Sequence, residues 1–145
     1  MLKWDGHTHT SYCKHGHPDE LERYLDRAIE LGFERYSVTE HPPLPERWVD
    51  DEPLMRELAM DLSELPAYFQ YVKTYKERYA GKLDVRVGLE LDFLPGRQSF
   101  TLQLVESWID ALEDAVVSVH YLPGKGGMRC VDYTPQDFAT NLLSH

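Results

Sequence analysis

Four times along this chain an apolar strand signal runs out into histidine or glutamate, and that recurrence constrains the fold more than any other feature. The first case is His7-Thr8-His9, which closes a short strand signal over residues 2–6. A strand sends alternate side chains to one face, so the two imidazoles project together as a pair of metal ligands. Glu40-His41 follows a second strand signal over 35–39, Glu90 lies in a third over 83–93, and His120 ends a fourth over 115–120. Taken singly, an H-x-H or a His after a strand is more often an ordinary surface or rim feature than a ligand. Four polar strand ends in succession describe a site.

Helical signals fill the intervals. Pro18 opens the first, with Leu21, Tyr24, Leu25, Ala28, Ile29 and Leu31 at helical spacing and Gly32 as the stop. A second spans 65–80, with Leu65, Tyr68, Phe69, Val72 and Tyr75 on one side and Gly81 as its stop. A third covers 99–112 behind the Pro95-Gly96 turn, and Thr134-Pro135-Gln136-Asp137 reads as the N-cap and first turn of a last helix. The Pro-rich run after His41 predicts a long loop into the fifties, and 122–127 predicts a glycine-rich loop. Strand-then-helix units in series predict an α/β fold with a parallel sheet or part of a barrel.

Parity sharpens the reading. On the third strand Glu90 shares a face with Gly88 and Asp92, opposite Val85, Val87, Leu89 and Leu91. On the fourth, His120 shares a face with Ser118 and Val116, opposite Val117 and Val119. On the second, His41 follows Ser37 and Thr39, opposite Tyr36 and Val38, and on the first His7 and His9 follow Asp5. The apolar faces can pack under helices while the polar faces turn to a shared interior at the carboxyl ends of the strands, where parallel α/β folds collect ligands. Imidazoles with a carboxylate suit Zn, Fe or Mn, and one Glu can bridge two ions.

His15, six residues past His9, is within reach of the same cleft. Cys13 stands open between a ligand and a thiol in a polar loop. His17 reads as a residue at the start of a helix, and His145 at the terminus carries no assignment. Arg97, Lys125 and Arg129 are equally well read as solvated loop charges and are not assigned to phosphate binding.

At 145 residues, 42% apolar and 28% charged, the chain has the length and balance of one soluble globular domain, residues 1–145, able to bury a core. It carries no apolar signal-peptide core and no run of about 20 apolar residues, and its two cysteines, Cys13 and Cys130, make no disulfide framework. A reducing cytoplasm is the expected location. The net charge of −10 disfavours nucleic acid and anionic membranes as partners. A small phosphorylated substrate remains compatible, because bound dications reverse the field inside a cleft.

The ordered blocks His7-Thr8-His9, Cys13-Lys14-His15, Thr39-Glu40-His41, Gly88-Leu89-Glu90-Leu91-Asp92-Phe93 and Ser118-Val119-His120-Tyr121 resemble the PHP (polymerase and histidinol phosphatase) superfamily. Within it they are most similar to the monofunctional histidinol-phosphatases, which the Pro-rich loop after His41 and the Pro95-Gly96 turn also match. The resemblance implies the N-terminal part of a distorted (β/α)7 TIM-like barrel, with about four βα units present. It implies two or three divalent metal ions (Zn, Fe or Mn) held by His7, His9, His15, His41, Glu90 and His120, with Glu90 as the bridging carboxylate.

The implied activity is metal-dependent hydrolysis of a phosphomonoester, histidinol phosphate of histidine biosynthesis first among them. A metal-activated water is the expected nucleophile, and no side chain is assigned that role. The alternatives are another PHP phosphoesterase acting on a nucleotide or nucleic-acid end, or a non-catalytic metal-binding module. The family's later His and its terminal Asp-x-His have no counterpart after His120. The domain is therefore expected to be incomplete at its C-terminus, with a further segment or a second chain completing the barrel.

Overall fold

The computed structural model describes residues 1–14 and 16–143. His15 and His145, both considered above, lie outside the described residues. The elements in chain order are β1 (Trp4–Thr8), α1 (Leu21–Glu30), β2 (Arg35–Glu40), α2 (Glu52–Leu58), α3 (Leu65–Arg78) and β3 (Asp84–Asp92). They continue with α4 (Gln98–Trp108), β4 (Asp114–Ser118), β5 (Tyr121–Gly124), β6 (Gly127–Cys130) and α5 (Pro135–Asn141). β1 to β4 form one sheet in sequence order, every neighbouring pair parallel, and curl into a partial barrel. β5 and β6 make a separate antiparallel hairpin.

α1 and α3 form where the apolar spacing placed them, while α4 ends at Trp108, short of the expected 112. Leu21, Leu25 and Ala28 give α1 one buried stripe, and Gly32 ends it in the left-handed region at φ 77°, where a side chain would be strained. Gly81 does the same after α3 at φ 80°. α1 begins at Leu21 rather than at Pro18, because Glu20 is still extended at its N-cap. Thr134 caps α5 as its sequence suggested, its side chain accepting from the Asp137 amide.

The main core lies between the outer face of the sheet and these helices. Tyr36 and Val38 of β2 and Val85, Val87, Leu89 and Leu91 of β3 pack against Leu21 and Leu25 of α1 and Leu65, Tyr68, Phe69 and Val72 of α3. That partition matches the parity read from sequence, and it leaves the opposite face of β3, with Glu90, for the interior. Tyr68 is fully buried and its hydroxyl ties the two strands together. It accepts from the Glu40 amide at 3.3 Å and lies 2.7 Å from the Gly88 carbonyl and 3.1 Å from that of Val38. Gly88 is required on the inner face, since a Cβ there would stand 3.0 Å from the Val38 and Asp114 carbonyls on both neighbouring strands.

Several elements differ from the sequence reading. β1 starts and ends two residues later, at Trp4–Thr8, leaving Leu2 outside the sheet and exposed. The Pro-rich loop after His41 gives way to α2, whose N-cap Asp51 accepts from the Leu54 amide and whose first turn carries Pro53. The glycine-rich stretch is a hairpin, turned through Gly126 and Gly127 at positive φ, with Pro123 inside β5 obscuring the strand pattern. The outer face of β4 is open: Val117 and Val119 are 71% and 52% exposed, so no described helix covers them.

Candidate metal centre

Each strand of the sheet delivers its polar residue to the same end. His7 lies in β1 and His9 just past it, His41 follows β2, Glu90 lies near the end of β3, and His120 follows β4. Because the strands are parallel and adjacent, these ends converge on Glu90, which is 2% exposed.

One carboxylate oxygen of Glu90, Oε2, faces three imidazoles: His7 Nε2 at 2.9 Å, His9 Nε2 at 3.2 Å and His41 Nδ1 at 3.4 Å. The other, Oε1, faces His120 Nε2 at 3.3 Å and accepts the Ser118 hydroxyl at 2.6 Å. The imidazoles also contact one another. His9 stacks on His41 with centroids 4.6 Å apart, and His120 meets His41 edge-on at 5.5 Å. Four of the expected ligands, His7, His9, His41 and His120, are thus gathered round the fifth, Glu90; the sixth, His15, is not described.

Four residues that carried no assignment in the sequence reading also belong here. Glu40 is fully buried; one oxygen lies 3.0 Å from His9 Nδ1, and the other accepts from the Thr10 amide and hydroxyl, both at 2.9 Å. Asp92, 5% exposed, lies 2.7 Å from His120 Nδ1. Their signal was a charge placed where burial is expected: Glu40 falls on the apolar parity of β2, and Asp92 shares the face of Glu90. Ser118 and Thr10 complete the hydrogen bonding of the two glutamates. Cys13, left open above, is buried near His9 and His41.

The electrostatics follow from this crowding. Burial pulls His9 down, but hydrogen bonds to Glu40 and Glu90 outweigh it and lift the ring to about 9. Burial, joined by the charge on His9, drives His41 down to about 4. Burial would raise Glu90, yet its bonds to His9, Ser118 and His7 hold it far below the usual carboxylate range. His120 is raised, chiefly by its hydrogen bond to Asp92.

The donor set fits divalent metal ions. Three groups each place their ligand atoms within 4.8 Å of one another: His7, His9 and Glu90; His9, Cys13 and His41; and His41, Asp92 and His120. Several imidazole nitrogens round a shared carboxylate match the preferences of Zn, Fe and Mn. The centre floors a cleft of about 440 Å³. Leu54, Glu57 and Leu58 of α2 and Tyr121, Cys130, Asp132 and Tyr133 form its remaining wall, and no Lys or Arg lines it among the described residues. Arg97, Lys125 and Arg129 are all absent from that wall. His17, expected at the start of a helix, lies exposed in the segment before α1, which begins only at Leu21; its ring accepts from the Asp19 amide.

The chain is similar to known proteins in sequence and in fold. A family model for the PHP domain matches residues 5–143. The histidinol-phosphatase of Bacillus subtilis (strain 168) is 36% identical over 138 residues, covering 95% of this chain and 51% of that protein. A histidinol-phosphatase of Saccharomyces cerevisiae is 28% identical over 151 residues, covering 95% of this chain and 44% of that protein. The chain thus spans about half the length of these relatives. A Listeria monocytogenes crystal structure with a provisional histidinol phosphatase name superposes with TM-score 0.94 and 36% identity, over 98% of this chain and 54% of that one. The histidinol phosphate phosphatase of Lactococcus lactis, solved with zinc, L-histidinol and phosphate, shares the fold at TM-score 0.65 and 23% identity, over 83% of this chain and 41% of that one.

Proposed function

The chain belongs to the PHP domain family, and from that premise we propose that it carries the metal centre of a histidinol-phosphate phosphatase. The observation that carries this reading is Glu90, buried among His7, His9, His41 and His120 at the floor of an open cleft. His7, His9, His41, Glu90 and His120 would hold two or three divalent ions, and Glu90 is placed to be shared between them. The family resemblance adds His15, which lies outside the described residues, to that ligand set. Zinc, iron and manganese all accept such donors.

When bound, such ions activate water at neutral pH and neutralise charge on a phosphoryl group. The chain's own residues supply the rest. The strand ends fix the imidazoles, the buried carboxylates of Glu40 and Asp92 brace two of them, and α2 with the hairpin walls the cleft. With no Lys or Arg in that wall among the described residues, the negative side chains would repel a phosphomonoester, and bound ions would offset that repulsion. The names of the Bacillus and yeast relatives support L-histidinol phosphate as the substrate. A cytoplasmic location agrees with a reduced pair of thiols at Cys13 and Cys130. The open outer face of β4 is in keeping with further polypeptide completing the barrel wall.

Phosphate release by the protein from L-histidinol phosphate, compared with a nucleoside monophosphate and repeated with chelator, tests the proposal. The expected result is chelator-sensitive turnover that favours histidinol phosphate. A preference for the nucleotide, or turnover indifferent to chelator, contradicts it.

A further inference from the structure

We propose that Glu40 is a positioning residue that fixes which ring nitrogen of His9 is presented to the metal. The assignment rests on the metal-centre reading above.

Every hydrogen-bonding position on Glu40 is taken. Its Oε2 accepts from the Thr10 amide and the Thr10 hydroxyl, each at 2.9 Å. The hydroxyl donates its proton to Glu40, which as a carboxylate can only accept, while its oxygen accepts from the Tyr12 amide at 3.1 Å. Its Oε1 accepts from the His41 amide at 3.2 Å and lies 3.0 Å from His9 Nδ1. A carboxylate so saturated has no lone pair left for a metal ion. Being an acceptor throughout, it requires a proton on His9 Nδ1.

A neutral imidazole protonated at Nδ1 keeps its lone pair at Nε2. That nitrogen is the one aimed into the centre, 3.2 Å from Glu90 Oε2 and 3.3 Å from His7 Nε2. Glu40 therefore acts through His9, holding the ring's orientation and tautomer from behind. A carboxylate behind a metal-binding histidine is a known means of tuning such sites. Here the carboxylate comes from β2 and the ring from the segment after β1, so one contact also registers two strands.

The substitution Glu40→Gln preserves shape while replacing one acceptor by a donor and removing the negative charge behind His9. The ring NMR of the wild type reads the tautomer separately from that charge. The single amide oxygen would serve the two shorter bonds from Thr10. The amide –NH2 would then replace the oxygen that faces His9 and the His41 amide, losing the bond from His41, and His9 Nδ1 must become the acceptor with its proton at Nε2. The lone pair would be turned away from the metal.

The experiment is a zinc affinity measurement by competition on wild type, Glu40→Gln and Thr10→Val, with 15N NMR of the histidine rings in the zinc-loaded wild type. Zinc uptake by the wild type tests the metal-centre reading on its own. The expected pattern is a His9 ring protonated at Nδ1 and coordinated through Nε2. Glu40→Gln should then weaken zinc binding by about 10- to 100-fold, as removal of such a partner does elsewhere. Thr10→Val removes one bond to Glu40 but leaves the acceptor facing His9, so its affinity should stay within a few-fold of wild type. Coordination of His9 through Nδ1, or wild-type affinity in a folded Glu40→Gln variant, would overturn the assignment. Should that variant not fold, the ring pattern of the wild type decides alone.

Discussion

His7 and Glu90 lie at distant points of the chain, yet His7 Nε2 stands 2.9 Å from Glu90 Oε2 across the mouth of the partial barrel. The same carboxylate meets His9, His41 and His120, so its removal disturbs every metal position that shares it. Glu90→Gln should therefore lower metal content by more than one ion per chain. Elemental analysis of the purified protein checks this; loss of a single ion, or none, would assign Glu90 to one position or to a structural role.

The metal-free protein should be most stable near pH 6.5, as far as His9 and His41 govern it. His9 is raised from 6.5 to about 9 by its bonds to Glu40 and Glu90, which outweigh burial. Between those values the folded state holds a proton the unfolded state has lost, so stability falls as pH rises through that window. His41 is lowered from 6.5 to about 4 by burial, so the unfolded state holds the extra proton there and stability rises with pH from 4 to 6.5. Thermal unfolding in chelator should show both limbs. His9→Gln should flatten the alkaline limb and, by removing a charge that lowers His41, shorten the acid limb; an unchanged alkaline limb would count against the contacts assigned to His9.

Tyr68→Phe should destabilise the fold by about 1–3 kcal/mol, the usual cost of stranding buried partners of a lost hydroxyl. The hydroxyl serves the Glu40 amide and the Gly88 and Val38 carbonyls in a site with no access to water. Urea unfolding measures the change. A difference within error would show that the strands close up without it.

Much of this was written into the sequence, and what escaped did so for identifiable reasons. Alternation over Val85 to Asp92 revealed both the strand and which way Glu90 points, because one face had to be buried. Leu21, Leu25 and Ala28 revealed α1 in the same way. α2 escaped because seven residues give barely two turns and none of its side chains is buried. The β5–β6 hairpin escaped because Pro123 and three glycines masked its pattern. Glu40 and Asp92 drew no role because a carboxylate's function depends on the ring behind which it sits. That neighbour, on another strand, is set by the tertiary fold and not by spacing along the chain.

Anomalous diffraction from zinc-soaked crystals of the protein, recorded at the zinc edge, probes the centre most directly. Peaks should flank the Glu90 carboxylate, one of them about 2.0–2.1 Å from the Nε2 atoms of His7 and His9. Zinc bound elsewhere, with these histidines still paired only to Glu90, would contradict it.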